Sequence, residues 1–155
     1  MTPTVSDVEL IQRLLLAALL GALIGLEREM RQKSAGLRTN TLIAVGSALF
    51  TLMSIEMAEG TSADATRIAA QIVTGIGFLG AGAIMRTGSG IQGLTTAATV
   101  WVNAAVGVAA GGGEYHLAFI ATGVTLAVLL VLSPLEAAID RRLPKRPSDD
   151  ESTGA

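Results

Sequence analysis

The chain has 155 residues, 50% of them hydrophobic and only 15% charged, with a net charge of −2. A soluble domain carries about a quarter charged residues, so this composition points to one domain immersed in lipid. The lack of cysteine excludes disulfides, thiolate metal sites and cysteine nucleophiles, and the single histidine, His116, excludes histidine clusters.

Runs free of Asp, Glu, Lys and Arg cover residues 14–26, 39–55, 68–85, 87–113 and 115–135. A membrane-spanning helix needs about 20 largely apolar residues, within a range of roughly 17–25. The first run is shorter than that. It reaches a spanning length if the helix begins near Val8 and Arg13 carries its charge to the interface. A soluble helical bundle would need polar faces that these runs lack. The expected fold is therefore all-α, a polytopic bundle of about five transmembrane helices packed through small residues over 8–134. A cleaved signal peptide is not expected, because Asp7 and Glu9 stand where a basic region would.

The first helix is expected over about 8–29. Ala17, Gly21, Gly25 and Arg28 share one face, and Gly21 and Gly25 form a G-x-x-x-G pair that admits a close neighbour in lipid. Packing within the chain is favoured there over a dimer seam. After a charged connection, the second helix is expected over about 40–58. Its small and polar residues Asn40, Ala44, Ser47, Thr51 and Ser54 repeat at spacings of four and three, an inward face.

The third helix is expected over about 67–86, where 18 uncharged residues at 1.5 Å each would span roughly 27 Å. A polar, glycine-rich loop, 87–93, follows. The fourth helix is expected over 94–110 and the fifth over 115–133, with Pro134 marking a turn or stop. Residues 135–155 read as a short disordered cytoplasmic tail, its stretch 141–155 changing from basic to acidic without apolar periodicity.

Five spans put the termini on opposite sides. One side would hold nine basic residues (Arg28, Arg31, Lys33, Arg38, Arg86, Arg141, Arg142, Lys145 and Arg146), the other only Arg13 and Arg67. The positive-inside bias places the nine-residue side in the cytoplasm, with the N-terminus outside and the C-terminus inside.

Gly75-Ile-Gly77-Phe-Leu-Gly80 is a literal G-x-G-x-x-G. A dinucleotide site also needs an acidic residue about 20 positions on and a βαβ context. No Asp or Glu follows until Glu114, and no Walker lysine follows the glycines. The glycines Gly75, Gly77, Gly80 and Gly82 instead read as packing residues of a membrane helix. No nucleic-acid partner is expected.

Two constellations remain. Glu27, Arg28, Arg38, Thr39 and Arg86 gather at the cytoplasmic ends, where charges are costly unless paired or wet. They suit a cation (Glu27 being the metal candidate), a lipid headgroup or a partner; the plainer alternative is an interfacial salt bridge. Within the membrane lie Gln71 and Thr74 on the third helix, and Thr96, Thr99 and Asn103 along one face of the fourth. Interhelical hydrogen bonding is the favoured reading of that stripe, an ion path the alternative. No carboxylate lies in the middle of an expected span, so a dehydrating Mg²⁺ path has no obvious ligands. No catalytic constellation is visible, and none of these residues implies a cofactor.

The segments GALIGLERE (21–29), AGLRTNTLIAVGSALF (35–50), RIAAQIVTGIGFLGAG (67–82) and GLTTAATVWVNAAVG (93–107) closely resemble the MgtC/SapB family of bacterial inner-membrane proteins. The resemblance covers about residues 10–130. It implies a hydrophobic domain of about five spans, a link to growth in low magnesium and, for some members, to virulence. It also implies a regulatory role, with the membrane ATP synthase or another transporter as partner, and Mg²⁺ as ligand or signal. The positions carried over are Glu27, Arg28, Ala35, Gly36, Leu37, Arg38 and Thr39, then Gln71 and the glycines at 75, 77, 80 and 82. Gly93, Leu94, Thr96 and Trp101 complete them. Some relatives carry Asn where this chain has Thr95, which leaves that position's polar role open. Longer members add a soluble C-terminal domain, and functions attributed to it are not carried over.

The leading expectation is a non-enzymatic membrane protein that supports magnesium-limited growth by modulating a partner. The alternative is an ion channel or transporter for Mg²⁺ or another ion. A homodimer is expected from small-residue faces that exceed what five short helices need.

Overall fold

Helix α1 (Asp7–Met30) begins at Ser6, whose Oγ accepts the Glu9 N–H at 3.3 Å, and Asp7 and Glu9 in the first turn complement the helix dipole. The computed structural model describes residues 5–62, 64, 66–87 and 90–140. Over these the order continues with α2 (Leu37–Ala58), α3 (Thr66–Ala83), a hairpin of β1 (Met85–Thr87) and β2 (Gly90–Gln92), α4 (Leu94–Gly111) and α5 (Tyr115–Asp140).

α1 stops in a Schellman turn. Lys33 N–H bonds to Arg28 O at 2.9 Å and Gln32 N–H to Glu29 O at 3.0 Å, with Gln32 in the left-handed region at φ 55°. Glycine normally takes that position because a side chain there is strained. Gln32→Gly should therefore raise stability by about 0.5–1 kcal/mol. Thermal melting in detergent checks this, and a lower midpoint would count against it.

α2 packs against α1, α3 and α4. Its buried residues Asn40, Ala44, Ser47, Ala48, Thr51, Leu52 and Ser54 include the whole small and polar face expected from sequence. Glycines on two other helices let the backbones meet it. A Cβ added at Gly21 would lie 2.7 Å from Ala44 Cβ, and one at Gly25 would lie 2.8 Å from Leu37 Cα. The G-x-x-x-G pair of α1 is thus spent inside the chain. Gly107 and Gly111 of α4 likewise press on Ala44 and Ala48. The main core joins Ala17, Leu20 and Ile24 of α1 to Ala44, Ala48, Val106 and Ala110, with Ala118 and Leu129 from α5.

Large apolar side chains point the other way. Leu15, Leu42, Phe50, Phe78, Trp101 and Ile120 are exposed, while alanine, glycine, serine and threonine fill the interior. Apolar exposure on this scale is incompatible with water and fits lipid. Four helices are long and apolar enough to cross a membrane: α1, α2, α4, and α5 as far as Leu135. The chain is a predominantly helical, multi-pass membrane protein of the all-α class. α3, with Arg67 and Gln71 near its start, is not among the four. It nevertheless runs antiparallel along α2, sharing one surface pocket with Met57 and Ala58 and another with Arg38 and Thr39.

Several expectations change here. The third helix ends at Ala83, not Arg86, because residues 85–87 pair antiparallel with 90–92, so the expected polar loop is largely this hairpin. Gly93 follows at φ 90° and its absent Cβ leaves room for Ala83 O, which brings the two helix ends together. Of the α3 glycines expected to pack, only Gly80 meets a neighbour, Ala97 at 3.8 Å; Gly75, Gly77 and Gly82 face open space. The reason is that α3 lies at the edge of the bundle and buries only Ile76 and Gly80. Pro134 does not stop the fifth helix, which continues to Asp140. Proline's own φ is helical, and it removes only one N–H. The six residues 135–140 expected in the tail are thereby helical. The rest of the expected tail, with its four basic residues, and Gly88 lie outside the described residues.

Arg13 does more than reach the interface. Its Nη1 donates to Gly111 O at 2.8 Å and its Nη2 pairs with Glu9, so it caps the C-terminal end of α4. At this same end, outside the spans, Asp64 accepts both the N–H and the Oγ1 of Thr66 at 2.8 Å. Those bonds favour its charged form and hold its carboxyl below the usual range.

Candidate functional site: a buried polar cluster at one end of the bundle

The last turn of α1 carries Glu27 and Arg28 inward because that face continues the buried stripe of Gly21, Ile24 and Gly25. Both are almost fully buried, at 7% and 4% exposure. Burying charge is costly without a partner, so the contacts decide what these residues are. Arg31 Nε lies 2.6 Å from Glu27 Oε1, and Arg28 Nη1 lies 3.9 Å from Glu27 Oε2. These are ion pairs by distance, but neither carboxylate oxygen receives a well-aligned hydrogen bond from the described residues.

The guanidiniums tie the cluster to other helices. Arg28 Nη2 donates to Thr96 Oγ1 at 3.2 Å, and Ser34 Oγ, from the connection after α1, donates to the same oxygen at 3.3 Å. Arg31 Nη1 donates to Ser133 Oγ on α5 at 2.7 Å. One carboxylate thus stands against two guanidiniums. The local charge is positive, which does not draw a cation to Glu27. No group of three His, Asp or Glu side chains capable of holding a metal occurs among the described residues.

One layer deeper, Asn103 Nδ2 donates to Asn40 O at 2.6 Å and Asn40 Oδ1 at 3.2 Å. Asn40 Nδ2 in turn reaches Ala35 O and Gly36 O, tying the start of α2 to the connection. Thr99 Oγ1 bonds within its own helix to Thr95 O at 2.7 Å. The stripe of Thr96, Thr99 and Asn103 is therefore wholly buried, and Thr96 and Asn103 bond across to other helices. Polar atoms are left over in both layers. Asn103 Oδ1 and, in the outer layer, Arg28 Nε have no partner among the described residues.

The nine residues singled out from sequence do not form one site. Glu27, Arg28 and Thr96 meet, with Asn103 in the layer beneath. Arg38, Thr39 and Gln71 instead line an open groove between α2 and α3. Arg86 sits on β1, whose three positions are all exposed, and Thr95 is exposed at the start of α4. Thr74 is likewise exposed on α3. The charged connection reaches the fourth helix through Ser34 and Thr96. Sequence reading missed Arg31, Ser34, Asn40 and Ser133 as members of the cluster. Arg31 had a signal, since it stands four residues after Glu27 on a helix. Ser133 had none, being 102 residues from Arg31 in the chain.

The MgtC family model matches residues 14–138. The chain is 51% identical over 130 residues to Protein MgtC of Brucella abortus (strain 2308), covering 84% of this chain and 54% of that one. It is 54% identical over 123 residues to Protein MgtC of Salmonella typhimurium (strain LT2), covering 79% and 52% respectively. The chain spans about half the length of these curated relatives. No solved structure matches it.

Proposed function

The chain belongs to the MgtC family, and on that premise we propose that it is a non-catalytic protein of the bacterial inner membrane that supports growth when magnesium is scarce. It acts by modulating a partner in the membrane, the ATP synthase or a transporter. The observation that carries this reading is the engagement of the polar interior. Thr96 and Asn103 hold Arg28 and Asn40, and Glu27 is matched by two guanidiniums, so the groups that would line an ion path are occupied in packing. The orientation that goes with it has the N-terminus outside and the C-terminus in the cytoplasm. In support, Arg28, Arg31, Lys33, Arg38 and Arg86 stand at one end of the bundle, against Arg13 and Arg67 at the other.

The rival reading is a channel or transporter for Mg²⁺ or another ion. The observation in its favour is Asn103 Oδ1, a buried amide oxygen without a partner among the described residues. Reconstitution in liposomes loaded with a Mg²⁺ indicator separates the two. No protein-dependent flux is expected, while expression in a strain lacking its own copy should restore growth in low Mg²⁺. Flux that Asn103→Ala abolishes in a folded protein would sink the partner reading.

A further inference from the structure

We propose that the groove between α2 and α3 is a binding site for an anionic phospholipid, its acyl chain lying along the groove and its phosphate held by Arg38. The groove has a volume of about 640 Å³ and is an open cleft, not an enclosed cavity. Its walls are Leu42, Phe50, Ile72, Ile76 and Leu79, and it is open at Gly46 and Gly75, where an added Cβ would meet nothing within 4 Å. Along α2 it runs from Arg38 to Phe50, which at 1.5 Å per residue is about 18 Å. That is close to the depth of one leaflet, half of a hydrocarbon core about 30 Å thick. A chain entering at Arg38 would end near the midplane.

The mouth selects the headgroup. Arg38 is exposed and has no hydrogen bond or ion pair among the described residues. The acids described at this end are already committed. Glu27 faces Arg28 and Arg31, and Glu29 Oε2 accepts the Leu37 N–H at 3.1 Å. The mouth is therefore a guanidinium with no ion-pair partner among the described residues, beside the N-terminal end of α2 that Glu29 already caps. Basic pockets between membrane helices bind anionic headgroups on this principle. A second copy of the chain fits less well, because the acids described at this level are equally committed there. The site requires the chain to lie in a bilayer, and it does not depend on any partner protein.

The test reads lipid contact by fluorescence. The chain has one tryptophan, Trp101, exposed on α4 away from the groove. Phe50→Trp in a Trp101→Phe background moves the reporter into the groove. The full chain is placed in vesicles of phosphatidylcholine containing either brominated phosphatidylcholine or brominated phosphatidylglycerol, and quenching gives relative association. The groove reporter should favour phosphatidylglycerol by about fivefold, the factor one basic residue supplies near an anionic lipid. Arg38→Gln should bring the ratio to near one, and Gly75→Leu, which fills the groove, should weaken quenching by both lipids. Trp101 in the native chain should be quenched without preference. Equal quenching by both lipids in the groove, or a preference that survives Arg38→Gln, overturns the proposal. So does an unquenched groove reporter with intermolecular cross-links, which would make the occupant a second copy. Loss of quenching at Trp101 as well would overturn the membrane placement, and the lipid site with it.

Discussion

Gly107→Val should prevent the bundle from closing, while Gly75→Val on α3 should leave it intact. A Cβ at Gly107 would lie 2.3 Å from Ala44 O, 2.8 Å from Ser47 Cβ and 2.9 Å from Ala44 Cα. Two of these are backbone atoms, which cannot rotate away. Gly21 of α1 also lies against Ala44 Cβ, so this stretch of α2 is packed by α1 and α4 together. Overpacking a well-filled core costs about 1–3 kcal/mol and more where backbone must move. Folded proteins hold only about 5–15 kcal/mol in reserve. Gly107→Ala should therefore lose at least about 3 kcal/mol in detergent unfolding, and the valine variant should not accumulate as a monodisperse species. At Gly75 an added Cβ meets nothing within 4 Å, and removing a helix-interior glycine gains up to about 1 kcal/mol of propensity. If the two positions respond alike, the assignment of α4 and α3 to the interior and edge of the bundle fails.

Glu27→Ala should be the most damaging change at the polar cluster. It leaves Arg28, at 4% exposure, and the partly exposed Arg31 facing each other without a counter-charge. Removing one partner of a buried ion pair costs about 3–5 kcal/mol, since the remaining charge stays desolvated. A double-mutant cycle with Arg31→Ala tests the cause. The double variant should lose at least about 1 kcal/mol less than the sum of the singles, because the two changes remove one interaction. The cycle also separates an ion pair from a metal site. An ion pair predicts that Mg²⁺ leaves the unfolding midpoint unchanged at constant ionic strength. A Mg²⁺-dependent stabilisation that Glu27→Ala abolishes would assign Glu27 to a cation.

The cluster shows where sequence reading stopped. Spacing alone placed Glu27 and Arg28 at the end of the first helix, and Thr96 and Asn103 on one face of the fourth. Spacing within a helix is local, so it reported which residues share a face. It did not report that Arg28 crosses to Thr96, 68 residues away, while Arg38 turns to the groove instead. The α3 glycines show the same limit. Gly75, Gly77 and Gly82 have the composition of a packing seam, yet a seam requires a neighbour, and α3 has one only on its Gly80 side.

What the sequence determined by itself is the membrane class, the existence and order of five helices, and the inward face of α2. These depend on hydropathy and periodicity, which are properties of each segment. What only the tertiary structure decided is which glycines carry backbone contact, where α3 gives way to a hairpin, and how the polar residues divide between a closed cluster and an open groove. Those outcomes depend on which helix stands beside which. In lipid that choice is made by close packing and paired hydrogen bonds between segments, not by hydrophobicity, which the lipid tails offer to every helix alike.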